Sequence, residues 1–164
     1  MKYVFQLRPP EPSLPLTSFG SSVSLGPCHL AVCAVGNRVV YIYSYTYNLT
    51  SSEFDIPSFT LAATLSEESS QLSDLDFGYS VALFEQVNST SSTVAIGSPS
   101  SELSSSSGQD AGAVFIYCTS SNSSQSPMWT LNQTLNTLDV SVSKFGTSVA
   151  LYNNTMVSSI STQR

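Results

Sequence analysis

The pentad Phe-Gly-x-Ser-Val is written three times in this chain, at Phe19, Phe77 and Phe145, with spacings of 58 and 68 residues. A pattern returning at such intervals constrains the fold more than any single motif. Each copy marks one supersecondary unit that cannot bury its own apolar face, so neighbouring units must stack. Other segments keep the same register. "SFTLAATL" ends at Leu65, 12 residues before Phe77, and "MWTLNQTL" ends at Leu135, 10 residues before Phe145. "YVFQL" ends at Leu7, 12 residues before Phe19, so the N-terminal run also has a place in the period.

The middle period reads as four short apolar runs, at residues 78–84, 93–97, 113–118 and 128–135, separated by clusters of Gly, Pro, Asn and Ser. Such punctuation is that of strands. Serine and threonine make up 49 of the 164 residues, a composition that opposes helices and suits strands joined by polar loops. The expected fold class is therefore all-β, with blades of four antiparallel strands stacked as in an incomplete β-propeller. The recurring glycines have a mechanical place there. Near a crowded axis, only a residue without a side chain lets two backbones approach.

The segments "FGYSVAL", "VAIGSP", "GAVFIY" and "WTLNQTL", in that order, resemble the FG-GAP repeat of integrin α-chain-type β-propellers. The middle copy matches all four; the first lacks a Pro after Gly36, and the third stops before its Gly-x-Pro. The resemblance divides the chain into the end of a preceding blade with its connection (1–18), a complete blade (19–76), a second (77–144) and the start of a third (145–164). Propellers close with about four to eight blades. About two and a half repeats thus imply a fragment, a truncated product or part of an oligomeric ring, with the remaining blades supplied in cis or by an oligomer.

The resemblance further implies an extracellular or cell-surface binding or adhesion module that recognises a protein. The alternatives are an accessory propeller of a secreted hydrolase such as a glycosylphosphatidylinositol-specific phospholipase D, and a truncated fragment without function. Repeats of this kind often hold Ca²⁺ between their first two strands. The corresponding positions are Glu85, Val87, Ser89, Ser91 and Thr93 in the middle copy, and they start at Asn153 in the third and at Pro27 in the first. One carboxylate does not replace the several charged oxygens that Ca²⁺ needs, so neither Ca²⁺ nor another cofactor is expected.

Charge narrows the partners. Five basic residues against 11 acidic ones give a net charge of −6, which argues against nucleic acid and against an anionic membrane surface. The longest apolar stretch, residues 30–43, is broken by Gly36, Asn37 and Arg38 and falls short of the roughly 20 apolar residues of a membrane span. "MKYVFQLRPPEP" is too poor in apolar residues for a signal peptide. An extracellular location would thus belong to a longer protein. Cys28, Cys33 and Cys118 are odd in number and lack metal-ligand spacing, leaving their disulfide state open. Cys33, inside "LAVCAV", reads as a buried small hydrophobe.

No catalytic constellation emerges, and the chain is expected not to be an enzyme. His29 is the only histidine and reads as a turn or half-buried residue. "GYSVA" lacks the second Gly of a nucleophile elbow. Asp74 and Asp76 read as caps of their own turn, residues 36–38 as a tight hairpin turn, and residues 104–108 as a flexible loop tip. Phe19, Phe77 and Phe145 should occupy equivalent buried sites, with Val81, Val94, Val114 and Ile116 in cores between sheets. Trp129 should pack between blades at a blade's outer edge.

Five of eight asparagines stand in Asn-x-Ser/Thr sequons: Asn48, Asn88, Asn122, Asn132 and Asn153. The Ser/Thr share predicts about 2.4. In an antiparallel meander the loops alternate ends. Asn48, Asn88, Asn122 and Asn153 then fall at one end, with Asn132 on an outer strand. The opposite end collects Glu67, Glu68, Asp74, Asp76, Glu102 and Asp110, together with Glu11, Asp139 and the long loop 98–111. That acidic end is the expected surface for a basic or cation-bridged protein partner.

Overall fold

A computed structural model describes residues 6–10, 18–46, 57–67, 76–86, 91–101, 111–120, 128–136, 144–153 and 155–160. Strands β1 (Phe19–Leu25), β2 (His29–Ala34), β3 (Val39–Thr46) and β4 (Ser58–Ser66) form one antiparallel sheet in the order of the chain. Strands β5 (Ser80–Glu85), β6 (Ser92–Ser98), β7 (Ala113–Ser120) and β8 (Met128–Asn136) form a second sheet of the same order. Strands β9 (Val149–Tyr152) and β10 (Thr155–Ser158) pair as a hairpin. No α-helix occurs among the described residues, and neither sheet is closed on itself.

The two sheets share more than strand order. In the first, Ile42 pairs with Ala63 and Tyr43 with Leu61, so Ala62 is skipped. In the second, Ile116 pairs with Gln133 and Tyr117 with Leu131, so Asn132 is skipped. The same β-bulge thus sits at the same place in "SFTLAATL" and "MWTLNQTL", which places the two segments in one structural register.

One correction concerns the first copy's second strand. Val32 pairs with Val23 and Ile96 with Val81, so Cys33, rather than Gly36, stands where Gly97 stands in the second sheet. Gly36 lies instead in a 3-10 turn over Val35–Asn37, closed by Arg38 in the left-handed conformation with φ 56°. The tight turn expected at residues 36–38 is therefore present.

The second and third Phe-Gly corners seat on the preceding sheet. A Cβ on Gly78 would lie 3.5 Å from the Cys33 Cβ and 3.5 Å from the Val39 carbonyl oxygen. Gly146 repeats the placement one unit later, against Gly97 and the Ala113 carbonyl. Both glycines have positive φ, 87° and 92°, where a side chain would be strained even without neighbours. At the second joint the fit is tighter, because Gly97 and Gly112 also lack the side chains that would collide with the backbone of Gly146 and Phe145.

The first strands meet edge to face through serines. Ser22 and Ser24 of β1 accept hydrogen bonds from the Val81 and Leu83 N–H groups of β5, at 3.1 and 2.9 Å. These N–H groups lie on the free edge of the second sheet, where a backbone donor needs a partner. Ser80, the counterpart of Ser22, donates its hydroxyl to the Gly146 carbonyl at 2.8 Å.

Between the sheets lies one apolar core. It joins Ala31, Cys33, Val40, Ile42 and Leu65 of the first sheet to Val81, Leu83, Val94, Ile96, Phe115, Tyr117 and Trp129 of the second. Phe77 is fully buried in it, with its ring edge against Phe115 at 5.3 Å. A smaller cluster of Val32, Ala34, Tyr41 and Tyr43 covers the other face of the first sheet, with Leu7 and Phe19 packed on it.

Val81, Val94, Val114 and Trp129 are buried as expected. The three Phe-Gly phenylalanines are not equivalent, however: only Phe77 is fully enclosed, while Phe19 and Phe145 are half-buried. Phe77 alone lies between two four-stranded sheets. Ile116 is also half-buried.

Truncating a fully buried Phe costs about 3–5 kcal/mol. Phe77→Ala should therefore abolish the cooperative thermal transition seen by circular dichroism, whereas Phe145→Ala should retain one. Gly97→Ala should lower the melting midpoint by more than Gly20→Ala does. The first forces backbone apart, at a cost of about 1–3 kcal/mol or more, while Gly20 has open space around it and adds only left-handed strain of about 1–2 kcal/mol. Equal melting of the two glycine variants would contradict the seating described above.

Candidate functional site

The most highly charged buried cluster bridges the two sheets at the end carrying the β1–β2 turn. Gly26 N–H donates to the His29 carbonyl at 2.9 Å and closes that turn, placing His29 at the start of β2. Across the joint, Glu85 ends β5 and turns its carboxylate into the turn. Gly26 leaves the room, since a Cβ there would collide with the Glu85 carboxylate.

Four donors converge on that carboxylate. Oε2 accepts the backbone N–H groups of Cys28 and His29 at 2.8 and 3.1 Å. Oε1 accepts the His29 Nδ1–H and the Ser92 hydroxyl, the latter at 2.8 Å. The Glu85 side chain is 4% exposed and that of His29 12%. Trp129 stands edge-on to the imidazole, with ring centres 5.8 Å apart. Burial alone would push the Glu85 carboxyl up. The hydrogen bonds from His29, Cys28 and Ser92 and the charge on His29 outweigh it and hold the carboxyl down at about 2.

The order of contacts determines what this cluster can do. A Ser-His-acid triad needs the hydroxyl on the imidazole and the acid behind it. Here the carboxylate is in the middle, and the Ser92 hydroxyl donates to it rather than to a base. The Cys28 and His29 donors fasten one sheet to the next, and the Ser92 hydroxyl steadies the carboxylate from within its own sheet. The geometry also gives Glu85 a different task from the one the calcium-cage alignment assigns to it. Of the other cage positions, Ser91 and Pro27 are exposed, Thr93 lies 3.7 Å from the Cys118 Sγ, and Val87 and Ser89 fall outside the described residues. Among the described residues no three His, Cys, Asp or Glu side chains form a metal-binding group. Burial pushes the Cys33 thiol up to about 12, which keeps it protonated in the core.

The opposite end carries the described part of the acidic surface. Asp76 is half-buried; its carboxylate takes the Ser100 hydroxyl and its carbonyl takes the Tyr79 N–H at 2.9 Å. The side chain thus ties the Phe-Gly corner to the turn after β6, where its own turn backbone was the expected partner. Glu67 follows β4 at the same end and is half-buried. Glu68, Asp74, Glu102 and Asp110 lie outside the described residues, as do Asn48, Asn88 and Asn122. Asn132 is exposed on β8, and Asn153 is exposed in the β9–β10 turn with φ 53°. Antiparallel pairing throughout both sheets supports the assignment of loops to alternating ends.

The Glu85–His29 contact was not read from the sequence, because the two residues stand 56 apart. A signal existed: an acid at the end of one repeat's first strand meets a histidine at the start of the preceding repeat's second strand once the repeats stack. Comparison of the chain with protein-family models, with curated proteins and with solved structures finds no match. No helix among the described residues is long and apolar enough to cross a membrane.

Because the folded value of about 2 lies below the ordinary 4.5, Glu85 contributes its full stabilisation above about pH 4.5 and loses it as pH falls toward 2. The shift corresponds to about 3 kcal/mol. Thermal melts of the native chain should therefore fall steeply across that window. Those of Glu85→Gln, which cannot ionise, should start lower and fall less; parallel curves for the two proteins would exclude the clamp.

Proposed function

We propose that the chain is a non-catalytic binding module, built of stacked FG-GAP-type propeller blades, that recognises a protein through the acidic loop end. The observation that carries the reading is the repeated joint. Gly78 seats on Cys33 and Val39, and Gly146 seats on Gly97 and Ala113, so the same contact is made twice in one chain. A joint that propagates from sheet to sheet is what a ring of blades requires, with further blades joined in cis or from another copy. The module belongs outside the cell.

The two ends of the stack differ in the work left to them. At one end the Glu85 carboxylate is saturated by donors from its own molecule. The other end gathers the connections after β2, β4 and β6, and most of the chain's carboxylates lie in those segments. Its negative charge steers a basic or cation-bridged protein and favours fast association at low salt.

Binding of the fluorescently labelled chain to intact eukaryotic cells tests this reading. Saturable binding is expected, with association slowed by added salt. A variant carrying Glu68→Lys, Asp74→Lys and Glu102→Lys leaves Asp76 to hold its corner and the half-buried Glu67 in place. It should melt like the parent and bind about tenfold more weakly, equivalent to about 1.4 kcal/mol. Absence of saturable binding, or unchanged binding by the triple variant, would refute the proposal.

A further inference from the structure

We infer that Asn132 is the acceptor of an N-linked glycan that shields the outer edge of the second sheet, an inference that rests on the extracellular reading above. Three observations converge on this residue. It opens the sequon Asn132-Gln133-Thr134. It is the bulge residue of β8, skipped between the Ile116–Gln133 and Tyr117–Leu131 pairs, and it is exposed. It also stands beside unusual apolar exposure, for Leu131 is 51% and Met128 65% exposed on the same strand.

The strand's position gives the glycan a task. β8 is the last strand of its sheet, so one backbone edge has no neighbouring strand among the described residues. An edge of that kind, with apolar side chains along it, is a template for pairing with another chain, and proteins blunt such edges with bulges and bulky polar groups. The bulge is already there. A glycan on its skipped residue adds a hydrated body where Met128 and Leu131 meet water. The first sheet has the same bulge with Ala62 at the skipped position, so only the second sheet carries an acceptor there.

The chemistry is one group transfer. The Asn132 Nδ2 forms a bond to C1 of the first sugar of a polyprenyl-diphosphate oligosaccharide. The bond from C1 to the diphosphate oxygen breaks, the diphosphate lipid leaves with that electron pair, and one amide proton passes to a base of the transferring enzyme. The acceptor is used as the chain enters the secretory lumen, and what the folded sheet must supply is room. A side chain turned into the core between the sheets would not have it; Asn132 does.

The test directs the full chain into a eukaryotic secretory pathway behind a cleavable signal. Released glycan sites are then marked by enzymatic deglycosylation in heavy-oxygen water and read by peptide mass spectrometry. Asn132 and the exposed turn residue Asn153 should both be converted to labelled aspartate in most molecules. Thr134→Ala should remove the first glycan only, and Thr134→Ser should keep it. Secreted Asn132→Gln should elute from size exclusion as larger species than the native glycoprotein. An unmodified Asn132 in the secreted chain, with or without a glycan on Asn153, overturns the inference, as does identical elution of Asn132→Gln. Confinement of the natural full-length protein to the cytosol would instead overturn the extracellular reading, a result separate from the occupancy measured under directed secretion.

Discussion

The structure depends on how closely one Phe-Gly corner approaches the sheet before it. At Gly146 the approach is backbone on backbone, and Gly97 and Gly112 permit it by having nothing on Cα. Sheets usually pack about 10 Å apart because side chains from both faces fill the space between them. Where strands instead converge, that layer has to vanish at one edge, and glycine is the means. At the joint between the two four-stranded sheets the space is filled by Val40, Ile42 and Leu65 on one side and Val94, Phe115 and Trp129 on the other, with Phe77 enclosed among them.

Polar contacts flank that core. Along the first strands, Ser22 and Ser24 take two N–H groups of β5 that the sheet's own ladder leaves unused. These bonds satisfy groups that would otherwise be costly to enclose. At the end beside the β1–β2 turn, Glu85 performs a similar service in reverse, gathering backbone donors of the Cys28 turn together with His29. A carboxylate so enclosed adds specificity as much as stability, because only one register of the two sheets brings the Cys28 and His29 donors to it. The high serine content thus serves the joints as well as the loops.

Among the described residues, the Glu85 cluster lacks the order of contacts of a catalytic triad. His29, Glu85 and Ser92 are the residue types of a hydrolase, yet His29 and Glu85 join the two sheets and Ser92 steadies that carboxylate from within its own sheet. The residue pair most suggestive of chemistry is a fastening.

Strand order, strand limits within one or two residues, and the repeat register were legible in the sequence. Alternating apolar runs and Gly/Ser punctuation are local properties, and β5 to β8 fall on the runs read at residues 78–84, 93–97, 113–118 and 128–135. The burial of Val94 and Val114 followed from position in the repeat, and so did the exposure of Asn132 on an outer strand. The sequence could not show that Cys33 takes the place of Gly97 in the first copy, since that depends on pairing across a bulge in β1. Nor could it rank the three phenylalanines, whose burial is set by how much sheet lies on each side. The Glu85–His29 clamp was decided by tertiary structure alone: a hydrogen bond between residues 56 apart exists only after two independently patterned units have been brought to one spacing and one angle. Periodicity specifies what each unit is, and packing specifies which side chains meet between them.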